Sequence, residues 1–447
     1  MESANGHRQI GMFDAAFLGV GAMVGAGIFA LLGEAGAIAG SAVWLSFLIA
    51  GAIAMLQGYS FAKLGTRYPS RGGTIEFLVQ GFGNGHLTGV VSWLFYVVGQ
   101  VITVMVALSF GSYAGTLFFG DDVSPEATKL LSLVIIAVMA LLNLQSDRAS
   151  VARIQTAIVW MVIAILGGFA FITIRHADFS LLSPETYPPA RSIISSVALT
   201  FFAFLGFAVV AFTAGDMKDP RRDLPRAMYL SLVVTTILYV AIAIGVYGML
   251  PLEEVIAAGE TAIAAAAEPI LGSAGFVIMT IAACFSTSSA VNSQFFATTG
   301  VVAYLAEIGQ FPPVLGNKAG ANGNVGVVIS TIFVSVLTLL FDLSAIASIG
   351  SAVALVIFMM VGIAHLRLIK ETGANVVIIY ASIISVIVTL VVFSIDTLSQ
   401  EPATALAIVV FLALSVIVDW LWRRVPSLNQ NDARVPITPA SNPAPDR

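Results

Sequence analysis

The chain has 447 residues, 58% hydrophobic and only 10% charged, with a net charge of −5 and a mean hydropathy of +0.96. A soluble domain carries roughly 25% charged residues, so water alone cannot solvate this surface. The absence of a basic tract argues against a nucleic-acid partner. A single cysteine, Cys284, and scattered histidines, His7, His86, His176 and His365, leave no intramolecular disulfide and no paired metal-ligand motif.

A membrane-spanning helix needs about 20 mainly apolar residues. Stretches of that kind fall at about 12–32, 41–62, 87–118, 129–145, 151–174, 193–216, 227–250, 275–299, 325–341, 345–368, 375–395 and 403–422. The first begins near Ile10 and runs without a cleavage site into Glu34, so it reads as a membrane helix and not as a cleaved leader. The second is followed by a polar loop in which Arg71 and Glu76 are expected to form a gate or surface ion pair. Tyr59, Gln100, Ser109 and Asn292 are polar residues at depth, expected to hydrogen-bond between helices. Gln100, which follows Gly99, is also a candidate to face a pocket. The tail after Trp422, with Pro426, Pro436, Pro439, Pro443 and Pro445 among polar residues, reads as disordered.

These stretches predict an all-α membrane protein with twelve transmembrane helices. Membrane proteins hold Lys and Arg in their cytoplasmic loops. With the N-terminus inside, the inner segments hold Arg8, Lys63, Arg67, Arg71, Arg148, Arg153, Lys218, Arg221, Arg222, Arg226, Lys318, Arg367, Lys370, Arg423, Arg424, Arg434 and Arg447. Only Lys129, Arg175 and Arg191 fall outside, and shifting the count by one span scrambles this partition. The expected layout is a short cytoplasmic N-terminus (1–10), one membrane domain (11–422) and a disordered cytoplasmic tail (423–447).

Two spans carry glycine interruptions at mid-depth. The first spans Gly19 to Phe29 and clusters Gly21, Gly25 and Gly27; the second has Gly206 among Phe201, Phe202, Ala203, Phe204, Leu205 and Phe207. The GxGxxG-like spacing of the first is not a dinucleotide loop, because that fingerprint must follow a soluble strand. Glycine-interrupted spans in corresponding positions of two halves point to a transporter binding site. Unwinding frees backbone groups that hydrocarbon cannot satisfy, so they must line a cavity and bind something. A half-helix starting near Ile28 turns its positive end toward a carboxylate. Carbonyls ending the preceding halves suit an ammonium group. An α-amino acid carries both.

At these residues the chain resembles the amino acid–polyamine–organocation superfamily of permeases. Gly25-Ala26-Gly27-Ile28-Phe29 is similar to its first-helix motif, and Phe201-Phe202-Ala203-Phe204-Leu205-Gly206-Phe207 to its sixth-helix motif. Lys218-Asp219-Pro220-Arg221-Arg222-Asp223-Leu224-Pro225-Arg226-Ala227 and Tyr68-Pro69-Ser70-Arg71-Gly72-Gly73 resemble its cytoplasmic loop motifs. The similarity covers about 10–422 and is nearest to prokaryotic broad-specificity amino-acid permeases.

The resemblance implies a LeuT-like, five-plus-five inverted repeat over about 11–174 and 193–368. Helices 1 and 6 are broken, two extra helices occupy about 375–422, and access alternates by rocking. It places the substrate carboxylate at Gly25, Ala26, Gly27 and Ile28, and the ammonium at carbonyls near Met23 and from Phe202, Ala203, Phe204 and Leu205 to Gly206. Phe202 and Phe207 would be gate or pocket walls. Relatives that move cations carry an acid where this chain has Ala208, which points to small neutral substrates. Some relatives carry a coupling lysine in the fifth span where this chain has Val162. Ser286 and Thr287, with carbonyls near Gly21 and Val24, resemble a sodium site. Sodium coupling, proton coupling by another group and uncoupled exchange all stay open.

A channel would need a continuous polar lining or charged rings, and an intramembrane enzyme a catalytic constellation at depth; the spans offer neither. No catalytic residue, resident metal or cofactor is expected. A plasma-membrane transporter for small neutral amino acids is the leading expectation. A permease for polyamines or other organic cations, or a membrane amino-acid sensor, is the alternative.

Overall fold

The structure, a computed structural model, describes residues 10–70, 72–120, 123–145, 148–321, 323–400 and 402–424. Hydrocarbon satisfies no backbone N–H or C=O, so each apolar stretch has to close its own hydrogen bonds as helix. The chain accordingly runs through α1 (Met12–Ala26), α2 (Ile28–Ala39), α3 (Val43–Arg67), α4 (Thr74–Phe82), α5 (His86–Phe119), α6 (Pro125–Gln145) and α7 (Arg148–His176). It continues through α8 (Ala190–Phe202), α9 (Ala208–Ala211), α10 (Pro220–Met249), α11 (Leu252–Ala258), α12 (Ala262–Ala265), α13 (Glu268–Glu307) and α14 (Pro313–Gly316). A two-residue hairpin, β1 (Lys318–Ala319) antiparallel to β2 (Gly323–Asn324), leads into α15 (Val325–Leu340), α16 (Leu343–Arg367), α17 (Ile369–Thr372), α18 (Val376–Gln400) and α19 (Pro402–Arg423).

Among the described residues nine helical runs are long and apolar enough to cross a membrane, and Met12–Gly25 and Val325–Leu340 are shorter apolar helices. The apolar stretches of the sequence lie in helix, with shifted boundaries. Helix α10 begins at Pro220, ahead of the expected 227, because proline at the first position needs no donor and the Asp219 carbonyl accepts from Asp223 N–H at 2.9 Å. Helix α13 is 40 residues long and bends at Gly272, whose φ of 64° favours glycine. Residues 1–9 and 425–447, which hold Arg8, Arg434, Arg447 and nearly all of the expected disordered tail, lie outside the described residues, as does Arg71.

The frame is built on α5, which packs against α13, α6 and α16, and on α10, which packs against α3, α1 and α7. Helix α1 is held between α10, α13 and α7. Between these helices lies an aromatic core in which Phe61 meets Phe77, Phe207 and Phe358 at ring-centroid distances of 5.6, 5.1 and 5.3 Å. The outer surface is apolar: Ile237, Leu340 and Val377 are 65%, 70% and 69% exposed. Lipid can cover such side chains, and water would not.

Among the described residues, Arg67, Arg367 and Arg423 lie at one set of helix ends, referred to below as the basic face. There Tyr68 Oη donates to Glu371 at 2.5 Å, and the Arg367 guanidinium lies 4.6 Å from the centre of the Phe82 ring. Trp422 Nε1 donates to Gly309 O at 3.1 Å. Asp419, 1% exposed, accepts from Arg423 Nε at 3.0 Å and is 2.8 Å from His86 Nδ1, so its buried carboxylate ties α19 to the start of α5. On the opposite face Arg191 pairs with Asp396, and Lys129 Nζ donates to Leu339 O at 2.8 Å.

Candidate functional site

The two interruptions meet at the centre of the molecule. Gly27 separates α1 from α2 at φ −103° and ψ −76°. Helical spacing survives on both sides: Gly27 N–H donates to Met23 O at 2.7 Å, and Leu31 N–H donates to Gly27 O at 2.9 Å. The unwinding is therefore confined to one residue. The second interruption is longer. Helix α8 ends at Phe202, a tight turn covers Leu205–Phe207, and α9 follows. Here the bonds are of the shorter i to i+3 kind, Phe204 N–H to Phe201 O at 2.9 Å and Phe207 N–H to Phe204 O at 3.0 Å.

The glycines permit this meeting. A Cβ on Gly206 would lie 2.5 Å from Met23 N, and one on Gly27 would collide with Tyr239 Oη and come within 2.7 Å of Ala203 Cβ. A Cβ on Gly25 would collide with the Ser286 carbonyl.

Tyr239 of α10, fully buried, closes the gap. Its hydroxyl faces Met23 O at 2.6 Å and Ala203 O at 3.2 Å, so its one proton is shared between the two carbonyls. The backbone N–H of Ile28 lies near the same hydroxyl. One oxygen thus bonds to two carbonyls expected to hold an ammonium, beside the N–H expected to hold a carboxylate.

Met23, Ile28, Phe202, Ala203, Phe204, Leu205 and Phe207 are all buried around this point. The side chain of Ala26 lies outside the described residues. Phe202 packs against Gly350 of α16, and Phe207 against Phe61 and Phe358, so both rings fill helix contacts. Neither lines the larger cavity, which has a volume of about 50 Å³ and sits on the basic-face side of the second interruption. Leu205, Ala208 and Val209 form one wall, Gly99 and Gln100 of α5 another, and Thr298 of α13 a third. No lining residue is charged. Toward the basic face, Ile75 and Val79 of α4 pack with Phe212, Val301 and Leu305 across the cavity's end. Glu76 accepts from Gln80 Nε2 at 2.7 Å and from the Tyr304 hydroxyl, while its expected partner Arg71 lies outside the described residues.

A second cavity, of about 10 Å³, brings together Gly21, Val24 and Ser286 of the expected ion site with Ser289 and Val162. That is about the smallest space that holds one water-sized particle. The fourth expected residue, Thr287, is not on its wall, and its hydroxyl donates to Ala283 O at 2.7 Å within its own helix. Val162 does line it. Beside it, Gln155 Nε2 donates to Ser289 O at 3.0 Å, Asn292 Nδ2 to Gln155 Oε1 at 3.2 Å, and Asn143 Nδ2 to Asn292 Oδ1 at 2.7 Å. This amide chain ties α6 and α7 to α13. Tyr239 and Gln155 are the residues that sequence reasoning missed; Tyr239 is a tyrosine in an apolar stretch, and Gln155 sits between Arg153 and Thr156 near the start of its helix, where a polar residue is unremarkable.

Interrupted helices meeting inside an apolar helical frame, with lipid-compatible outer surfaces, define a multi-pass membrane transporter. The chain belongs to the amino acid permease family, whose model matches residues 10–418. It is 32% identical over 426 residues to the inner membrane transport protein YbaT of Escherichia coli, covering 95% of this chain and 98% of that protein. It is 26% identical over 261 residues to the branched-chain amino acid permease BcaP of Bacillus subtilis, covering 55% of each. Among solved structures, a manganese transporter mutant of Eremococcus coleocola shares the fold with a TM-score of 0.59 at 12% identity, covering 94% of this chain and 98% of that one.

Proposed function

We propose that this permease carries small neutral amino acids across the plasma membrane by alternating access, with twelve spans in a five-plus-five inverted repeat and both termini cytoplasmic. The observation that carries the reading is the Tyr239 hydroxyl, which bonds to Met23 O and Ala203 O and so joins the two interruptions. The ammonium of a zwitterion offers donors to the same two carbonyls, and the helix dipole at the start of α2 favours its carboxylate. In this reading Gly25, Ala26, Gly27 and Ile28 receive the carboxylate, and Met23 and Phe202 to Gly206 the ammonium. The basic face is cytoplasmic, by the preference of Lys and Arg for that side.

The uncharged cavity wall supports neutral substrates over polyamines and other cations, because a cationic side chain there would lose its hydration with no acid to pair with. The small cavity at Gly21, Val24 and Ser286 supports a sodium ion as the coupling particle, with Thr287 outside its shell as the structure stands. A proton or simple exchange is the alternative. The test is uptake of radiolabelled alanine, serine and leucine into proteoliposomes under a sodium gradient, a proton gradient or internal amino acid. Alanine uptake above empty liposomes is expected; no uptake of any of the three by folded protein would turn the reading toward organic cations or a sensing role. An Ala208→Glu variant is expected to let lysine compete with alanine at about tenfold lower concentration. No gain for lysine would detach Ala208 from substrate selection.

A further inference from the structure

A carboxamide inside an apolar helical frame is costly unless both its oxygen and its nitrogen find partners. Gln100, 1% exposed at mid-length of α5, meets only half of that requirement. Its Nε2 makes long bonds to Tyr96 O at 3.3 Å and Thr298 Oγ1 at 3.4 Å, whereas its Oε1 is buried with no hydrogen-bond partner. Gln100 lines the 50 Å³ cavity, and so do Thr298 and Gln294, each 5% exposed, from α13. The other walls are apolar. Beside Gln100, a Cβ placed on Gly99 would touch nothing within 4 Å, so the absent side chain leaves real space on this wall. At about 10–15 Å³ for each water-sized group, the cavity of about 50 Å³ takes about four such groups. Leu205 and Ala208, on its opposite wall, belong to the second interruption and the turn after it.

From this geometry we infer that the cavity is the side-chain subsite of the transported amino acid, and that Gln100 selects a neutral side chain carrying a hydrogen-bond donor, a hydroxyl or a carboxamide, over an aliphatic one of equal size. This rests on the amino-acid permease reading above. With the amino group and carboxylate at the interruptions, a short side chain passes Leu205 into the cavity. A hydroxyl there donates to Gln100 Oε1, which otherwise has no partner. An isosteric methyl leaves that oxygen orphaned, and sites built to hydrogen-bond a substrate reject the analogue that lacks the group.

Threonine and valine differ by that one exchange and are the sharpest probes. In wild-type proteoliposomes taking up radiolabelled alanine, threonine is expected to compete at about tenfold lower concentration than valine, the ratio of one neutral hydrogen bond. Gln100→Met, of similar length and without hydrogen-bonding groups, is expected to erase or invert that ratio. Gly99→Val, which projects into open space, is expected to exclude threonine and asparagine more strongly than serine. Equal competition by threonine and valine in the wild type overturns the inference even if neither variant folds. A Gly99→Val variant that slows every substrate by the same factor overturns it as well, and makes the cavity a water path. Both results leave alanine transport standing, whereas a wild type that takes up no alanine fails the permease reading itself and this inference with it.

Discussion

The two interruptions solve one physical problem in opposite ways. At Gly27 a single residue departs from the helix, and the bonds on either side keep α-helical spacing. Between Phe202 and Ala208 the chain changes to tighter i to i+3 bonds over a full turn. The surroundings differ as well. On the α2 side the loop after α11 lies directly on the helix, since a Cβ on Gly33 would collide with the Gly259 carbonyl. On the α9 side lies the larger cavity. The first break is thus clamped and its polar groups are engaged, and the second adjoins open volume. In the proposed reading the carboxylate goes to the first break, the ammonium to carbonyls of both, and the side chain to the volume beside the second. Among the described residues, Tyr239 is the one side chain that hydrogen-bonds to both.

The largest effect is expected where the clamp is tightest. Gly27→Ala puts a methyl against Tyr239 Oη and Ala203 Cβ. Overpacking of this kind costs roughly 1–3 kcal/mol, so alanine affinity is expected to fall about a hundredfold. Adding Tyr239→Phe removes the colliding oxygen and is expected to recover about tenfold of that loss. Binding measured by scintillation proximity on the wild type, both single variants and the double variant gives the coupling directly. If the double variant loses the plain product of the two single losses, Tyr239 is not what Gly27 accommodates, and the two breaks are not joined through it.

Most of the helical layout was legible because apolar length and unsatisfied backbone groups leave a membrane segment few choices. The glycines were legible for a related reason: Gly25, Gly27 and Gly206 make helix poor at mid-depth, and the structure puts each at a contact that admits no side chain. The extent of unwinding was not legible. Nothing in the residues around Gly27 says that one position would suffice where the second break takes a full turn. Tyr239 was hidden because a lone tyrosine in an apolar stretch is ordinarily core. Its role arises from α10 passing both breaks, 216 residues from Met23 and 36 from Ala203. The Asp419–Arg423–His86 cluster was hidden likewise, since 333 residues separate His86 from its carboxylate partner.

The smaller cavity tests whether the clamped side also carries the ion. Ser286 lines it and Thr287 does not, so Ser286→Ala is expected to raise the sodium concentration for half-maximal uptake about tenfold, the loss of one neutral oxygen ligand. Thr287→Ala is expected to change it by less than about twofold on the same argument. The preference for threonine over valine should stay as it is in both variants. An unchanged sodium response together with an altered substrate profile would move Ser286 from the ion to the amino acid.

The smallest effect concerns how α2 is held. Glu260 lies in the loop that covers α2, and its Oε2 is enclosed without a hydrogen-bond partner although the residue as a whole keeps partial access to solvent. Burial, and then the nearby Glu34 carboxylate, push its acid up to about 7, while a hydrogen bond with Ser112 works in the other direction. The folded protein therefore holds a proton between its unfolded value of about 4.5 and about 7 that the unfolded chain has released. Stability contributed by this group is complete below the lower value, declines across that window and stays low above it. Glu260→Gln keeps the neutral form at every pH. Its melting temperature in detergent is expected to match wild type at pH 4.5 and to exceed it by a few degrees, about 2–4 °C, at pH 8. A variant that melts below wild type at pH 8 would mean that the charged carboxylate helps to hold the loop on α2, and the clamp over the first break would then be electrostatic where the packing at Gly33 makes it steric.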